Sequence, residues 1–84
     1  MLVKMFWQRN CPKCPTAKKM CEEVESVVDV RYYDVESVEG RAESLFYNVL
    51  STPTIIIFND KEREIFSWFG EIPDKEKFLE VFGR

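Results

Sequence analysis

Histidine is absent from this chain, and cysteine occurs only three times. A structural zinc site takes four ligands, normally two Cys pairs or one Cys pair with two histidines. Cys11 and Cys14 form one Cys-x-x-Cys pair, and Cys21 lies seven residues further on, roughly 10 Å along a helix at ~1.5 Å per residue. It cannot join the pair in a tetrahedron without breaking that helix, so no metal is expected within one chain. A metal shared between two chains stays open. The same separation keeps Cys21 from bridging either partner, because a disulfide needs Cα atoms within about 7 Å.

A basic stretch is also missing. The formal charge is −3, with both signs interleaved, and nothing gathers the lysines and arginines that would neutralise phosphates. A nucleic-acid partner is not expected. Long apolar runs are missing too: "LVKMFWQ" is interrupted by Lys4 and is too short for a signal core or a membrane span. The expected setting is therefore cytoplasmic and without a membrane, where thiols are kept reduced. An odd number of cysteines is likewise unlike a secreted disulfide framework. The pair is expected to cycle, or to bind metal, rather than to staple. There is no repeat, low-complexity tract or linker, which leaves residues 1–84 as a single domain, expected to be monomeric. Its 45% hydrophobic and 14% aromatic content supplies a core.

The apolar pattern changes period along the chain. "LVKMFW" reads as a buried strand bounded by the polar "QRN". From Pro12 to about Val28, the residues Cys14, Ala17, Cys21, Val24 and Val28 form one helical stripe, with charged residues on the other faces. Val28–Val35 reads as a second strand. After Ser37, a candidate N-cap, Ala42, Leu45, Phe46 and Val49 give another helical stripe. "TPTIIIF" is too apolar to alternate and belongs at the centre of a sheet. Asn59–Lys61 forms a turn, and "REIFSWF" is an antiparallel partner strand ending at Gly70. A short helix closed by Gly83 follows. The order β-α-β-α-β-β-α predicts an α/β fold, a mixed four-stranded sheet flanked by helices.

This layout puts Cys11 at the amino-terminal tip of the first helix and Cys14 on its buried stripe. Free N–H groups and the positive end of the helix dipole favour a thiolate there, and Arg9 and Lys13 add charge. In such settings a Cys-x-x-Cys thiol pKa falls from ~8.5 to roughly 7 or below. Pro12 and Lys13, between the cysteines, are expected to help set the reduction potential. Cys21 falls on the apolar stripe and is expected in the core. Lys4 is expected to be a solvated or snorkelling side chain. Trp7 has two readings, packing beneath the motif loop or lining a substrate groove.

"LSTPTIII" is the second telling stretch. Proline removes a ladder donor, so Pro53 must open its strand or sit at a bulge. With a β-CxxC-α unit upstream, the Thr52–Pro53 bond is expected to be cis. The Thr52 backbone would then be free to accept an extended substrate segment.

With "MFWQRNCPKC", "YNVLSTPTIIIF" and "FSWFGEIP" in view, the chain resembles the thioredoxin and glutaredoxin superfamily nearly end to end, in particular its small archaeal-type members. The resemblance implies the thioredoxin fold, a nucleophilic role for Cys11, a resolving role for Cys14 and a substrate-contacting cis Pro53, with Thr52, Trp7 and Gly70 around them. It implies a thiol–disulfide oxidoreductase that reduces protein disulfides without a bound cofactor. Its partners would be disulfide-containing proteins and an electron donor, either a thioredoxin-reductase-like flavoprotein or glutathione. A glutathione-dependent glutaredoxin and a non-catalytic or metal-bridged binding module are the alternatives. Three departures stand out. Met5 occupies the place where thioredoxins carry a buried aspartate. "FGEIPD" reproduces the glutathione-holding Gly-Gly and acidic cluster poorly. Pro15 directly follows the motif and is expected to make the loop less regular.

Overall fold

In the computed structural model, which describes residues 1–83, the chain runs β1 (Leu2–Trp7), α1 (Cys14–Glu22), β2 (Asp29–Asp34), α2 (Val38–Phe46), β3 (Thr54–Phe58), β4 (Glu64–Phe69) and α3 (Lys75–Val81). The strands form one sheet in the order β2-β1-β3-β4. β1 pairs parallel with β2, with Val3 opposite Val30, and antiparallel with β3, with Phe6 opposite Thr54. β3 and β4 form an antiparallel hairpin. The Asn59 side chain closes its turn by accepting hydrogen bonds from the N–H groups of Lys61 and Arg63. The predicted thioredoxin-type architecture is present.

β1 and β3 are the inner strands, which explains why "TIIIF" does not alternate in sequence: both of its faces are covered. In space it does alternate. Val3, Met5, Ile55 and Ile57 face Ala17, Met20 and Cys21 of α1 and Phe78 of α3. Phe6, Ile56 and Phe58 face the other way, toward Tyr33, Tyr47 and Val49. A fully buried side chain of this size contributes about 1.5–3 kcal/mol, so the two central strands carry much of the core.

Four expectations need correction. The first helix is shorter than Pro12–Val28. Pro12 and Lys13 form a turn ahead of it, and after Glu22 the hydrogen bonds tighten, with Val24 N–H donating to Cys21 C=O and Glu25 N–H to Glu22 C=O. Val24 remains fully buried from this tighter segment. Pro15 does not disturb the start: it is the second helical residue, where an N–H would have no intrahelical acceptor and its absence breaks no hydrogen bond.

The second helix turns a different face inward. Leu45 is 75% and Phe46 69% exposed, while Gly40 and Ser44 are the buried positions. The reason is close approach. A Cβ on Gly40 would stand 1.7 Å from the Asp34 carbonyl oxygen, so the helix rests on the end of β2 through its smallest residue. Ser44 can be buried because its hydroxyl donates to the Gly40 carbonyl at 2.7 Å. Ser37 caps this helix as expected, its Oγ accepting from Gly40 N–H at 2.9 Å.

Lys4 is the fourth correction, being only 8% exposed. Its Nζ donates to Glu43 Oε1 at 2.6 Å and to the Tyr47 hydroxyl at 3.1 Å. The ammonium also lies 4.8 Å from the Tyr47 ring centre and 5.6 Å from that of Phe58. β1 is thereby tied to α2 through the inside of the sheet. Burial by itself would lower the Lys4 pKa, but the hydrogen bonds to Glu43 and Tyr47 outweigh it and the net direction is upward. A raised pKa means that this group's contribution is fully present below the unfolded lysine value of about 10.4 and is lost as pH rises through the higher folded value. Tyr32, raised by burial and by its hydrogen bond to Glu25, loses its share over the same alkaline range. We expect denaturant midpoints to fall between about pH 10 and pH 12. A Lys4→Met/Glu43→Leu protein should lose less over that range, and parallel slopes for the two proteins would refute this account.

Candidate active site

Cys11 and Cys14 are joined in a disulfide with their Cα atoms 5.4 Å apart. The loop that carries them leaves β1 after Trp7 and turns at Asn10, whose φ of 61° is left-handed, a conformation asparagine tolerates better than most residues. Cys14 N–H donates to Cys11 C=O at 3.3 Å, closing the turn that launches α1. Lys13 is the N-cap residue but supplies no side-chain cap. Pro15 has no N–H, and Thr16 N–H has no backbone acceptor among the described residues. The amino end of α1 thus keeps an unsatisfied donor and the positive end of its dipole.

The two sulfur-bearing residues differ in access. Cys14 is 5% exposed, on the face of α1 that enters the core, whereas Cys11 is only half-buried. Pro12 and Lys13 are exposed between them. Trp7 is half-buried and packs against the core cluster beneath α1, and its carbonyl accepts from Val35 N–H at 3.0 Å. Met5, also fully buried, brings no ionisable group to Cys14.

The Thr52–Pro53 bond is cis. Pro53 is buried, and Thr52 is half-exposed. Neither the N–H nor the C=O of Thr52 makes a backbone hydrogen bond among the described residues. Gly70 braces the loop from behind, its N–H donating to Pro53 C=O at 2.8 Å. At φ 71°, with a would-be Cβ 2.6 Å from Ser51 Oγ, this position suits glycine. The antiparallel register of Phe6 with Thr54 brings the chain leaving β1 alongside the chain entering β3. Gln8 and Thr52 accordingly line one cavity. The topology therefore gathers both sequence-predicted stretches at one end of the two central strands.

Cys21 stands apart. It is fully buried, and its thiol pKa is pushed up to about 12 by burial and then by Glu25 and Glu22. Little thiolate forms at neutral pH, so it should be inert. The oxidised native protein is expected to take up no iodoacetamide at pH 8 and one equivalent after unfolding in guanidinium, read by intact mass. Labelling of the native protein would overturn this. Among the described residues, no three His, Cys, Asp or Glu converge as metal ligands would. No described helix is long and apolar enough to cross a membrane.

Comparison with known proteins accounts for the geometry. The family model described as a thioredoxin domain matches residues 1–83. A thioredoxin of Methanocaldococcus jannaschii is 33% identical over 83 residues, covering 94% of this chain and 88% of that one. The chain belongs to the thioredoxin superfamily. Solved structures agree at the level of the fold. A mutant thioredoxin from Halobacterium salinarum NRC-1 superposes with a TM-score of 0.80 at 20% identity, covering 96% of this chain and 70% of that one. A thioredoxin from Thermus thermophilus gives 0.75 at 22% identity, covering 98% and 70%. Within the superfamily this is a thiol–disulfide protein whose Cys-x-x-Cys pair is Cys11–Cys14.

The structure sets the sequence-predicted Thr52–Pro53 segment, braced by Gly70, and the loop of both cysteines at the same end of the central strands, while sequence reasoning missed the packing of Lys4 and Gly40. For Gly40 the available signal was its spacing from Ser44, which marks a small-residue helix face. For Lys4 it was a charge set between apolar residues on an inner strand.

Proposed function

We propose that the protein reduces protein disulfides as a dithiol oxidoreductase. The Cys11 thiolate attacks one sulfur of a substrate disulfide, forming a mixed disulfide and expelling the other substrate sulfur as a thiolate. Cys14, as its thiolate, attacks the Cys11 sulfur. The Cys11–Cys14 bond forms, and the second substrate thiolate departs. Two electrons have moved from the protein to the substrate, and a donor must return them. That donor is a flavin-linked reductase or glutathione.

One observation carries this reading: an accessible Cys11 and a shielded Cys14 sit at an uncapped helix start. Exposure assigns the order of attack, because the residue that meets substrate must be the open one. Helix-terminal donors and dipole favour the thiolate on which the reaction depends. The unused N–H and C=O of Thr52 suit a substrate chain laid alongside as an added strand. Pro53, being buried, would act by presenting Thr52 rather than by touching the substrate itself. Trp7 would support the motif loop, and Gly70 the Thr52 segment.

The test is insulin reduction driven by dithiothreitol, followed as turbidity. The protein is expected to accelerate it catalytically above the dithiothreitol background. Rates equal to background would refute the proposed function.

A further inference from the structure

A cavity of about 220 Å³ opens between α2 and the Thr52 segment, lined among others by Gln8, Thr52, Leu45, Leu50 and Arg41. Two features of this lining are unused by the chemistry above. Leu50 is 94% and Leu45 75% exposed, a contiguous apolar rim running from α2 to the Thr52 segment. Arg41, in turn, makes no ion pair among the described residues, although the chain is acidic overall. No carboxylate lines the cavity itself. Glu36 lines a neighbouring cavity together with Arg41 and accepts from Gln8 Nε2 at 3.4 Å.

Size narrows the occupant. Pockets that enclose a whole small ligand measure roughly 300–1,000 Å³. This one is smaller and suits one side chain of a longer polypeptide. Charge narrows it further, since a lone guanidinium beside an apolar rim complements a carboxylate on an otherwise apolar segment. We infer that the cavity is a specificity pocket of the redox site, in which Arg41 selects partner proteins carrying an acidic side chain close in sequence to the attacked cysteine. The inference rests on the disulfide-reductase reading, because only then does a polypeptide lie along Thr52.

Three synthetic peptides test it, each with the same intramolecular disulfide and differing only in Glu, Gln or Lys near one cysteine. The wild-type protein is expected to reduce them in the order Glu, Gln, Lys. Each step should be about threefold to fivefold in kcat/KM, the size of a partly exposed charge pair. The effect should sit in KM and shrink in high salt. In Arg41→Gln the three peptides should converge, and in Arg41→Glu the order should reverse. These ratios are internal to each protein and do not depend on how much of a variant is active. Equal rates for the three peptides on the wild type, or an order that survives Arg41→Gln, would overturn the inference while insulin reduction remained intact. Dependence on Arg41 confined to oxidised glutathione would also overturn it, in favour of a small thiol. Loss of insulin reduction by the wild type would instead remove the underlying function, and the pocket assignment with it.

Discussion

Serine in place of Cys11 is expected to bring insulin reduction down to the dithiothreitol background, with no measurable residual turnover. A serine hydroxyl is not ionised near neutral pH and cannot exchange with a disulfide, so the first step has no nucleophile. Cys14 cannot substitute for it from a position only 5% exposed. Cys14→Ser should behave differently. The first attack proceeds, the mixed disulfide cannot be resolved internally, and a covalent protein–substrate adduct accumulates. That adduct should appear on a non-reducing gel and vanish with excess dithiothreitol. Normal turnover by Cys11→Ser, or an adduct trapped by Cys11→Ser instead, would reverse the assigned roles. Cys21 does not complicate the experiment, because it is buried on the same helix and its thiol stays protonated.

Gly40→Ala is expected to be the most damaging single-methyl change in the molecule. The added carbon would lie 1.7 Å from the Asp34 carbonyl oxygen and 2.5 Å from its carbon, both backbone atoms. No rotamer can relieve such a contact, so α2 would have to lift from β2. Lifting it also disturbs Glu43 and Tyr47, the two partners of Lys4. Overpacking commonly costs 1–3 kcal/mol, and with this coupling the loss should reach at least about 3 kcal/mol. For a chain of this length that lowers Tm by roughly 12–24 °C. Thermal melts of the oxidised protein, followed by circular dichroism, give the answer directly. A Tm within about 4 °C of wild type, worth roughly 1 kcal/mol, would show that α2 is not seated on Gly40.

The parts of this molecule that were legible in the sequence are those in which one residue type has few physical uses. A proline at the head of a wholly apolar strand has few places to sit, and a Cys-x-x-Cys pair between a strand and a helix has few purposes. The strand order followed from period and connection length. The inward face of α2 was not legible, because apolar periodicity assumes that large side chains point inward. Here the contact distance is so short that glycine and serine take the inner positions, while Leu45 and Phe46 point to solvent. Lys4 was misread for a related reason. On a strand, a charged residue normally marks the solvent face, and only the three-dimensional neighbours Glu43 and Tyr47 make an interior lysine tolerable.

The strand order has one more implication. Cys11 and Thr52 are held by segments that continue into β1 and β3, the two strands with neighbours on both sides. Amide protons in the middle of such strands exchange only when most of the molecule opens. The reactive end is therefore moored to the slowest-exchanging part of the protein, and loss of activity in denaturant should coincide with loss of the sheet rather than precede it.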